Sequence, residues 1–207
     1  MKVLEFLLSS ALCLAAFCGC DYQYNPDQEN PPIGTGDRTL IVYYSYTGHC
    51  QQIVATLTDR VQADVIRIQP ADKTQKYEEN DYAIGKAMIA DIKEDPTNKT
   101  SYPPIDPDST VLENYDIIII VTPLWCSQMA AIMQAYLFEN GERMAGKKIG
   151  LIASSSSSGI TLVEADAKRL IPDGKFYGES LWINDANRSK RVQLITNWLK
   201  KCGIKTM

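Results

Sequence analysis

The sequence predicts an α/β protein built on a doubly wound, five-stranded parallel sheet. Three runs, Thr39–Ser45, Tyr115–Val121 and Lys148–Ala153, are almost continuously apolar, as expected of parallel strands that are buried on both faces. A segment with helical spacing of its apolar residues, or with a helix-start signal, follows each run. Because strands alternate with helices along the chain, right-handed crossovers and one parallel sheet are favoured.

The remaining elements are predicted from the same periodicities. Two further strands complete the sheet, Ala63–Ile68 and Lys175–Ile183. The predicted helices are Gly48–Val61, Tyr82–Ile92, Ser127–Phe138, a helix opened by the capping-box pair Thr161 and Glu164, and Asn187–Cys202. Residues 72–107 form a polar insertion that contains the second of these helices.

Composition excludes several classes of function. The chain has 207 residues, of which 45% are hydrophobic, so it can bury a core large enough to hold a mononucleotide without disulfide bonds. A net charge of -4 without a basic run argues against nucleic-acid binding. Its single histidine, His49, makes a transition-metal cluster implausible, and we interpret the acidic clusters at 78–81 and 91–95 as solvated surface.

The N-terminus resembles a bacterial lipoprotein signal. Lys2 precedes an apolar stretch, Phe6–Phe17, that is too short to span a bilayer, and Gly19 stands directly before Cys20. We therefore predict a signal peptide over residues 1–19, a lipid-anchored flexible tether over 20–38 with Cys20 as the lipidated residue, and a folded domain over 39–207. Ordinary cleavage nearby is the alternative. The predicted location is outside the cytoplasm, anchored to a bacterial membrane through the lipid.

The sheet topology predicts where a ligand would bind. In doubly wound sheets ligands bind beyond the carboxyl ends of the strands, which brings together the loops after Ser45, Thr122 and Ala153. The first of these loops carries two hydroxyls and Gly48 at the start of a helix, where free N–H groups suit a phosphate. It contains neither a Walker motif nor GxGxxG, which disfavours a nucleoside triphosphate or a dinucleotide. An ordinary turn capped by Thr47 is the alternative.

These loops also resemble those of a known family. Ser45-Tyr46-Thr47-Gly48-His49-Cys50 is similar to the flavodoxin fingerprint Ser/Thr-x-Thr-Gly-x-Thr, and Thr122-Pro123-Leu124-Trp125 is similar to the family's Pro-x-Trp segment. The serine run that ends at Gly159 stands where flavodoxin-like proteins have a glycine-rich segment. The resemblance extends from Thr39 to the C-terminus. It implies a flavodoxin-like strand order of 2-1-3-4-5 and flavin mononucleotide (FMN) as the cofactor.

The resemblance assigns roles to matching residues. The phosphate loop would comprise Ser45, Tyr46, Thr47, Gly48, His49 and Cys50. The isoalloxazine ring would be lined by Pro123, Leu124, Trp125 and Cys126. The polar edge of the ring would meet Ser154, Ser155, Ser156, Ser157 and Gly159. Cys50 departs from the family pattern, because a thiol replaces the usual hydroxyl and is a weaker donor; we interpret Cys50 and Cys126 as small packing thiols, with a redox pair as the alternative.

Three functions follow from this site. The first is an electron carrier that passes electrons between redox partners, one of which could be a membrane quinone. The second is a flavin-dependent enzyme that reduces a quinone or a similar small acceptor with a nicotinamide cofactor. The third is a binding or structural lipoprotein that keeps the fold without the flavin. Export disfavours the second function, because reduced nicotinamide cofactor is scarce outside the cytoplasm.

Overall fold

Strands and helices alternate through residues 37–207, which are the residues that the computed structural model describes. The strands are β1 (Thr39–Tyr43), β2 (Asp64–Arg67), β3 (Ile117–Trp125), β4 (Gln128–Met129), β5 (Lys148–Ser154), β6 (Lys175–Phe176) and β7 (Leu181–Ile183). The helices are α1 (His49–Thr58), α2 (Ala83–Glu94), α3 (Ala131–Asn140), α4 (Thr161–Leu170) and α5 (Arg191–Cys202). The predicted signal peptide, Cys20 and nearly all of the tether lie outside these residues.

The sheet confirms the predicted fold class. Its order is β2-β1-β3-β5-β6, and all of these neighbours are parallel. β7 pairs with β5 further along the same edge, and β4 is the single antiparallel strand among those described. The order reverses between β1 and β3, so the carboxyl ends of β1, β3 and β5 lie side by side at the topological switch point.

Side chains along the central strands point alternately to the two faces of the sheet, and this produces two hydrophobic cores. Leu40 and Val42 pack on one face with α2, α3 and α4, whereas Ile41 and Tyr43 pack on the other face with α1 and α5. The same alternation runs through the isoleucines of β3. A strand that has helices on both sides must be apolar at every position, which explains the continuous apolar runs in the sequence.

The predicted helix Ser127–Phe138 is wrong at its start. A two-residue turn, Cys126–Ser127, reverses the chain after β3, and β4 then pairs Met129 with Leu124 and Gln128 with Trp125. The Ala130 N–H also donates to the Pro123 carbonyl at 3.1 Å, and α3 begins only at Ala131. The apolar residues of this segment have helical spacing, but its first four residues, 127–130, belong to the hairpin and its hydrogen bonds.

Two other local predictions are also wrong. The last strand, predicted as Lys175–Ile183, is interrupted, and β6 and β7 pair with opposite ends of β5. The capping box does not form, because Ile160 is the N-cap of α4 and no side chain caps it. Thr161 already lies inside the helix, where its hydroxyl is not placed to bond the first free N–H groups.

Hydrogen bonds join the two ends of the polar insertion to each other. An isolated antiparallel bridge joins Pro70 to Ile105, with Ala71 N–H donating to the Pro104 carbonyl at 3.1 Å and Asp106 N–H to the Gln69 carbonyl at 2.9 Å. The two ends of the insertion meet beside the carboxyl end of β2. The insertion therefore begins and ends on the same side of the sheet as the three loops, at the carboxyl ends of the strands. Residues 77–86 of the insertion thereby lie close to these loops.

Candidate functional site

A cavity of about 440 Å³ lies beyond the carboxyl ends of β1, β3 and β5. This volume falls within the range of roughly 300–1,000 Å³ that is usual for small-molecule sites. Its wall is formed by the loops after these three strands, together with part of the polar insertion. The lining residues are Ser45, Tyr46, Thr47, His49, Cys50, Tyr77, Tyr82, Gly85, Lys86, Pro123, Leu124, Trp125, Cys126, Ser154, Ser155, Ser156 and Arg188.

The first loop presents unused N–H groups at the start of α1. Within the described residues, the backbone N–H groups of residues 46–50 donate no hydrogen bond. Gly48 is the N-cap, no side chain caps the helix there, and its first turn has no acidic residue. The alternative, a turn capped by Thr47, is therefore not observed in the described residues. Partial positive charge from the helix dipole and free donors together make this end of the cavity suitable for an anion.

Gly48 is required by the backbone of this loop. Its φ of +86° lies in the left-handed region, and a Cβ added there would meet no other atom within 4 Å. Space is therefore open beside the residue, and the constraint on it is conformational. The Oγ of the neighbouring Ser45 accepts the Gln51 N–H at 3.3 Å, and this bond leaves the Ser45 O–H able to donate.

The second loop is the β3–β4 hairpin, which places Pro123, Leu124, Trp125 and Cys126 on the cavity wall as predicted for a ring-binding segment. The turn residues Cys126 and Ser127 have φ of 50° and 66°. Two-residue hairpin turns of this hand favour glycine or asparagine, so two other residues here are strained by about 1–3 kcal/mol each. The strain lies at the rim of the cavity.

Trp125 is held by rings on two sides. The Tyr77 ring lies 4.7 Å from it between centroids at an interplanar angle of 42°, and the Tyr44 ring lies 5.7 Å away, edge to face. The α2 backbone also comes close, since a Cβ on Gly85 would stand 3.4 Å from the indole. Such contacts fix the indole orientation, and the half-buried ring keeps part of its surface toward the cavity.

The third loop contributes only part of the predicted set. Ser154, Ser155 and Ser156 line the cavity, whereas Ser157 and Gly159 lie outside its lining. The Ser155 hydroxyl is already bonded within the protein, since it donates to the Ser158 carbonyl at 2.7 Å and accepts the Trp182 indole N–H at 2.9 Å. These bonds shape the loop and leave Ser154 and Ser156 as its hydroxyl contributions to the cavity.

The two thiols at the site differ in environment. Cys50 is 1% exposed and packs in the core beneath α1, and burial raises the pKa of its thiol well above the usual range. It is therefore uncharged at neutral pH and a poor nucleophile. Cys126 is exposed at the hairpin turn, so the packing role predicted for it is wrong. Both cysteines are free.

Sequence patterns did not identify five lining residues: Tyr77, Tyr82, Gly85 and Lys86 from the insertion, and Arg188 before α5. The cations are paired locally, Lys86 with Asp81 and Arg188 with Asp185. Tyr77 is 3% exposed, and neither its hydroxyl nor His49 Nδ1 has a hydrogen-bond partner among the described residues. The only signal in the sequence was the presence of tyrosines in a polar insertion, of which Tyr77 and Tyr82 line the cavity.

Burial raises the pKa of Tyr77 to about 12, and nearby Asp72 and Tyr46 add to this shift. The hydroxyl is thus a neutral donor at physiological pH. A buried donor without a partner costs about 1–3 kcal/mol, so a polar ligand that accepted its hydrogen bond would be favoured here. Together with the free N–H groups of the first loop, it makes the cavity chemically suited to a ligand with an anionic end and hydrogen-bond acceptors.

Other kinds of site find no support in the described part of the chain. No group of three or more histidine, cysteine, aspartate or glutamate side chains between residues 37 and 207 is arranged to hold a metal ion. The same residues include no helix long and apolar enough to cross a membrane.

Solved structures with similar architecture come from several bacteria. A candidate flavoprotein from Bacteroides uniformis is 25% identical, with a TM-score of 0.63 over 78% of this chain and 99% of its own. Another from Bacteroides eggerthii is 20% identical, with a TM-score of 0.61 over 82% and 100%. A Lactobacillus acidophilus flavoprotein, solved in complex with FMN, is 17% identical, with a TM-score of 0.56 over 75% and 98%.

The curated proteins include no match to this sequence. The sequence model of the family described as Flavodoxin, in contrast, matches residues 38–202. This stretch includes every strand and helix described above, together with the three loops that form the cavity. The chain therefore belongs to the flavodoxin family.

Proposed function

We propose that this protein binds FMN in the cavity and carries electrons between redox partners. The observation that carries the proposal is the juxtaposition of two features in one cavity: a helix start with unused N–H groups and a hairpin wall with a held indole. A phosphate suits the first feature and a flat aromatic ring suits the second. The FMN complex of the Lactobacillus acidophilus flavoprotein, which has a similar fold, supports the choice of ligand.

In this proposal the phosphate binds to residues 45–50. The N–H groups of the loop and of the first turn of α1 donate to it, and the Thr47 hydroxyl adds one more donor. No lysine or arginine is needed, because the dipole of the helix and the free donors supply the attraction. The exchange of a hydroxyl for the Cys50 thiol removes one strong donor and lowers the affinity.

The isoalloxazine ring would lie against Pro123, Leu124 and Trp125. Ser154 and Ser156 would offer hydroxyls to its polar edge, and the Tyr77 hydroxyl would gain an acceptor. When bound, the flavin supplies the redox chemistry, which consists of the uptake and release of one or two electrons. The residues of this chain bind the ring, orient it and exclude water from part of it.

A second candidate function is a flavin-dependent oxidoreductase that reduces a quinone or a similar small acceptor. One observation favours it: Tyr46, Tyr77 and Tyr82 bring aromatic surface to the same cavity, and such surface suits a planar acceptor. A third candidate, a binding or structural protein without flavin, is favoured by Cys50 in the phosphate loop.

We also propose that the protein is exported and is anchored to a bacterial membrane by a lipid on Cys20. The support is the sequence itself, with a short apolar stretch that ends in Gly19-Cys20. In this setting a membrane quinone or a second redox protein would exchange electrons with the flavin.

Reconstitution separates the three functions. The purified chain is mixed with FMN, the excess is removed, and the bound flavin is quantified from its visible absorbance. About one flavin per chain, photoreduced in the absence of oxygen and reoxidised by a redox protein or quinone, supports the carrier. Rapid bleaching by a nicotinamide cofactor, followed by turnover with quinone, would favour the enzyme, and absence of retained flavin would favour the third function.

A further inference from the structure

The hairpin turn at the rim of the cavity adopts a backbone that its residues disfavour. Cys126 and Ser127 both have positive φ, at 50° and 66°, and neither is a glycine. Such a conformation persists only where the surrounding structure holds it in place. The residues that hold the hairpin in place are therefore candidates for controlling the geometry of the cavity wall.

A single peptide segment below the turn receives these contacts. The Met129 N–H donates to Asp166 Oδ2 at 3.0 Å, and the Met129 carbonyl accepts from Gln134 Nε2 at 2.8 Å. Met129 is the residue that pairs with Leu124 across the hairpin. Side chains from α4 and α3 thus fix both backbone groups of the residue that sets the position of β4.

Arg169 joins these side chains into one cluster. Its Nη2 donates to Gln134 Oε1 at 2.8 Å and to Asp166 Oδ1 at 3.3 Å. Its Nη1 donates to the Tyr102 hydroxyl at 2.9 Å, and that hydroxyl donates to the Pro96 carbonyl at 2.7 Å. Pro96 and Tyr102 belong to the insertion that also supplies Tyr77 and Lys86. The cluster therefore connects the hairpin wall of the cavity with the insertion.

The burial of this cluster is informative. Gln134 is fully buried and Asp166 is 5% exposed, and burial raises the pKa of Asp166 although the Met129 N–H and Arg169 oppose the shift. A buried ion pair is weak evidence for stability, since apolar residues of the same shape often serve the fold as well. Here Asp166 and Gln134 both bond the backbone of Met129 in the hairpin, which indicates a role in orientation.

We propose that Asp166, Arg169 and Gln134 are positioning residues that hold the β3–β4 hairpin and thereby set the affinity and the redox potential of the flavin that binds against Trp125. This inference rests on the proposed FMN site. The three side chains do not line the cavity, so they act through Met129 and the turn. A shift of the hairpin would displace Trp125 and Cys126 relative to the ring.

The test replaces Asp166 in the full chain. Asp166→Asn keeps the shape of the side chain, but its amide offers one acceptor where the carboxylate serves both Met129 and Arg169. We expect FMN to bind about tenfold more weakly, because the loss of a hydrogen bond to a charged group lets the hairpin leave its binding geometry, which then has to be restored when FMN binds. If oxidised and reduced flavin are affected unequally by tenfold, the two-electron midpoint potential shifts by about 30 mV. Gln134→Met, which removes the bond to the Met129 carbonyl, provides a second variant.

The matched control is Leu112→Ala. Leu112 is fully buried ahead of β3, at the amino-terminal end of the sheet. Its truncation lowers stability but removes no hydrogen bond of the cluster, so FMN affinity and midpoint potential should be those of the wild type. If Asp166→Asn and Gln134→Met fold and also keep the wild-type affinity and potential, the positioning role is refuted.

A readout without flavin keeps this inference separate from the proposed function. Hydrogen exchange of residues 124–130 should accelerate in Asp166→Asn and stay unchanged in Leu112→Ala. If the wild type retains no FMN, the proposed function fails, and the exchange measurement still decides whether the cluster holds the hairpin. Unchanged hydrogen exchange in Asp166→Asn would overturn the positioning role of the cluster.

Discussion

Gly48 shows how one residue can decide whether the cavity accepts a phosphate. Its positive φ turns the chain from β1 into α1, and the N–H groups of residues 46–50 have no partners among the described residues. A residue with a Cβ resists that conformation by about 1–2 kcal/mol, and a β-branched residue resists it more strongly. The left-handed backbone of Gly48 therefore keeps the free donors together.

We predict that Gly48→Val lowers FMN affinity by at least about tenfold while the fold is retained, because the loop must leave the left-handed conformation. The affinity is measured by titration of Trp fluorescence with FMN. Gly146→Val is the matched control: Gly146 also has positive φ, at 73°, and open space at its Cβ, but lies outside the cavity lining. Gly146→Val should lose a similar amount of stability and keep the wild-type FMN affinity. Equal FMN affinities of the two variants would show that the loop at Gly48 does not bind the phosphate.

Tyr77 is a second residue at which stability and function diverge. Its buried hydroxyl has no partner in the part of the chain that the structure describes, so we predict that Tyr77→Phe raises the free energy of unfolding without flavin by about 1 kcal/mol and weakens FMN binding. Urea unfolding and FMN titration measure the two effects. Tyr177→Phe is the control, since Tyr177 is half-buried, lies outside the cavity lining and has a hydroxyl that is not one of the buried groups without a partner in the described residues.

The pH dependence of stability gives Tyr77 a distinct signature. Its pKa is about 12 in the folded chain against 10.0 ordinarily, so between these values the unfolded chain loses the tyrosine proton more readily than the folded chain does, and the free energy of unfolding falls as the pH rises from 10 to 12. Tyr77→Phe should therefore lose less stability than the wild type between pH 10 and 12. Parallel alkaline curves for the two proteins would contradict this assignment.

At the scale of elements, the β3–β4 hairpin forms the wall of the cavity that we propose binds the flavin ring. It was not predicted, because Ser127–Phe138 carries helical spacing and Cys-Ser is not a hairpin signal. The contacts that specify it come from Asp166 and Gln134, which lie later in the sequence. The buried strands β1, β3 and β5 were predictable because helices on both faces require apolar residues throughout.

Relief of strain in this turn should be measurable. Ser127→Gly is predicted to raise the free energy of unfolding by about 0.5–1 kcal/mol, because glycine adopts positive φ without steric cost and loses only part of that gain to chain entropy. The control is Ser158→Gly, at a position without positive φ, where the same replacement should lower stability. A loss of stability in Ser127→Gly would show that the turn is not strained.

At the scale of the whole molecule, the cavity is assembled from segments that are distant in sequence. The three strand-end loops could be predicted, because a switch point gathers the carboxyl ends of neighbouring strands. Tyr77, Lys86 and Arg188 could not, because nothing local indicates where a polar insertion or a helix start folds back. Ser157 and Gly159, in contrast, were assigned to the cavity from their position in the serine run and lie outside its lining.

The proposed anchor is a prediction about the whole chain. If Cys20 carries the lipid, Cys20→Ser should release the protein from the membrane fraction of the producing bacterium, because no acyl chains would remain to hold it. Fractionation with immunodetection measures the outcome, and Cys18→Ser serves as the matched control. Retention of Cys20→Ser in membranes would refute the lipid anchor.

The central claim is that residues 45–50 bind the phosphate of FMN. The most direct measurement is the ratio of the dissociation constants of riboflavin and FMN for the same protein, since the two ligands differ only by the phosphate. We predict that FMN binds at least about a hundredfold more tightly, equivalent to about 2.7 kcal/mol, because riboflavin leaves the N–H groups of the loop unused. Equal affinities would contradict it.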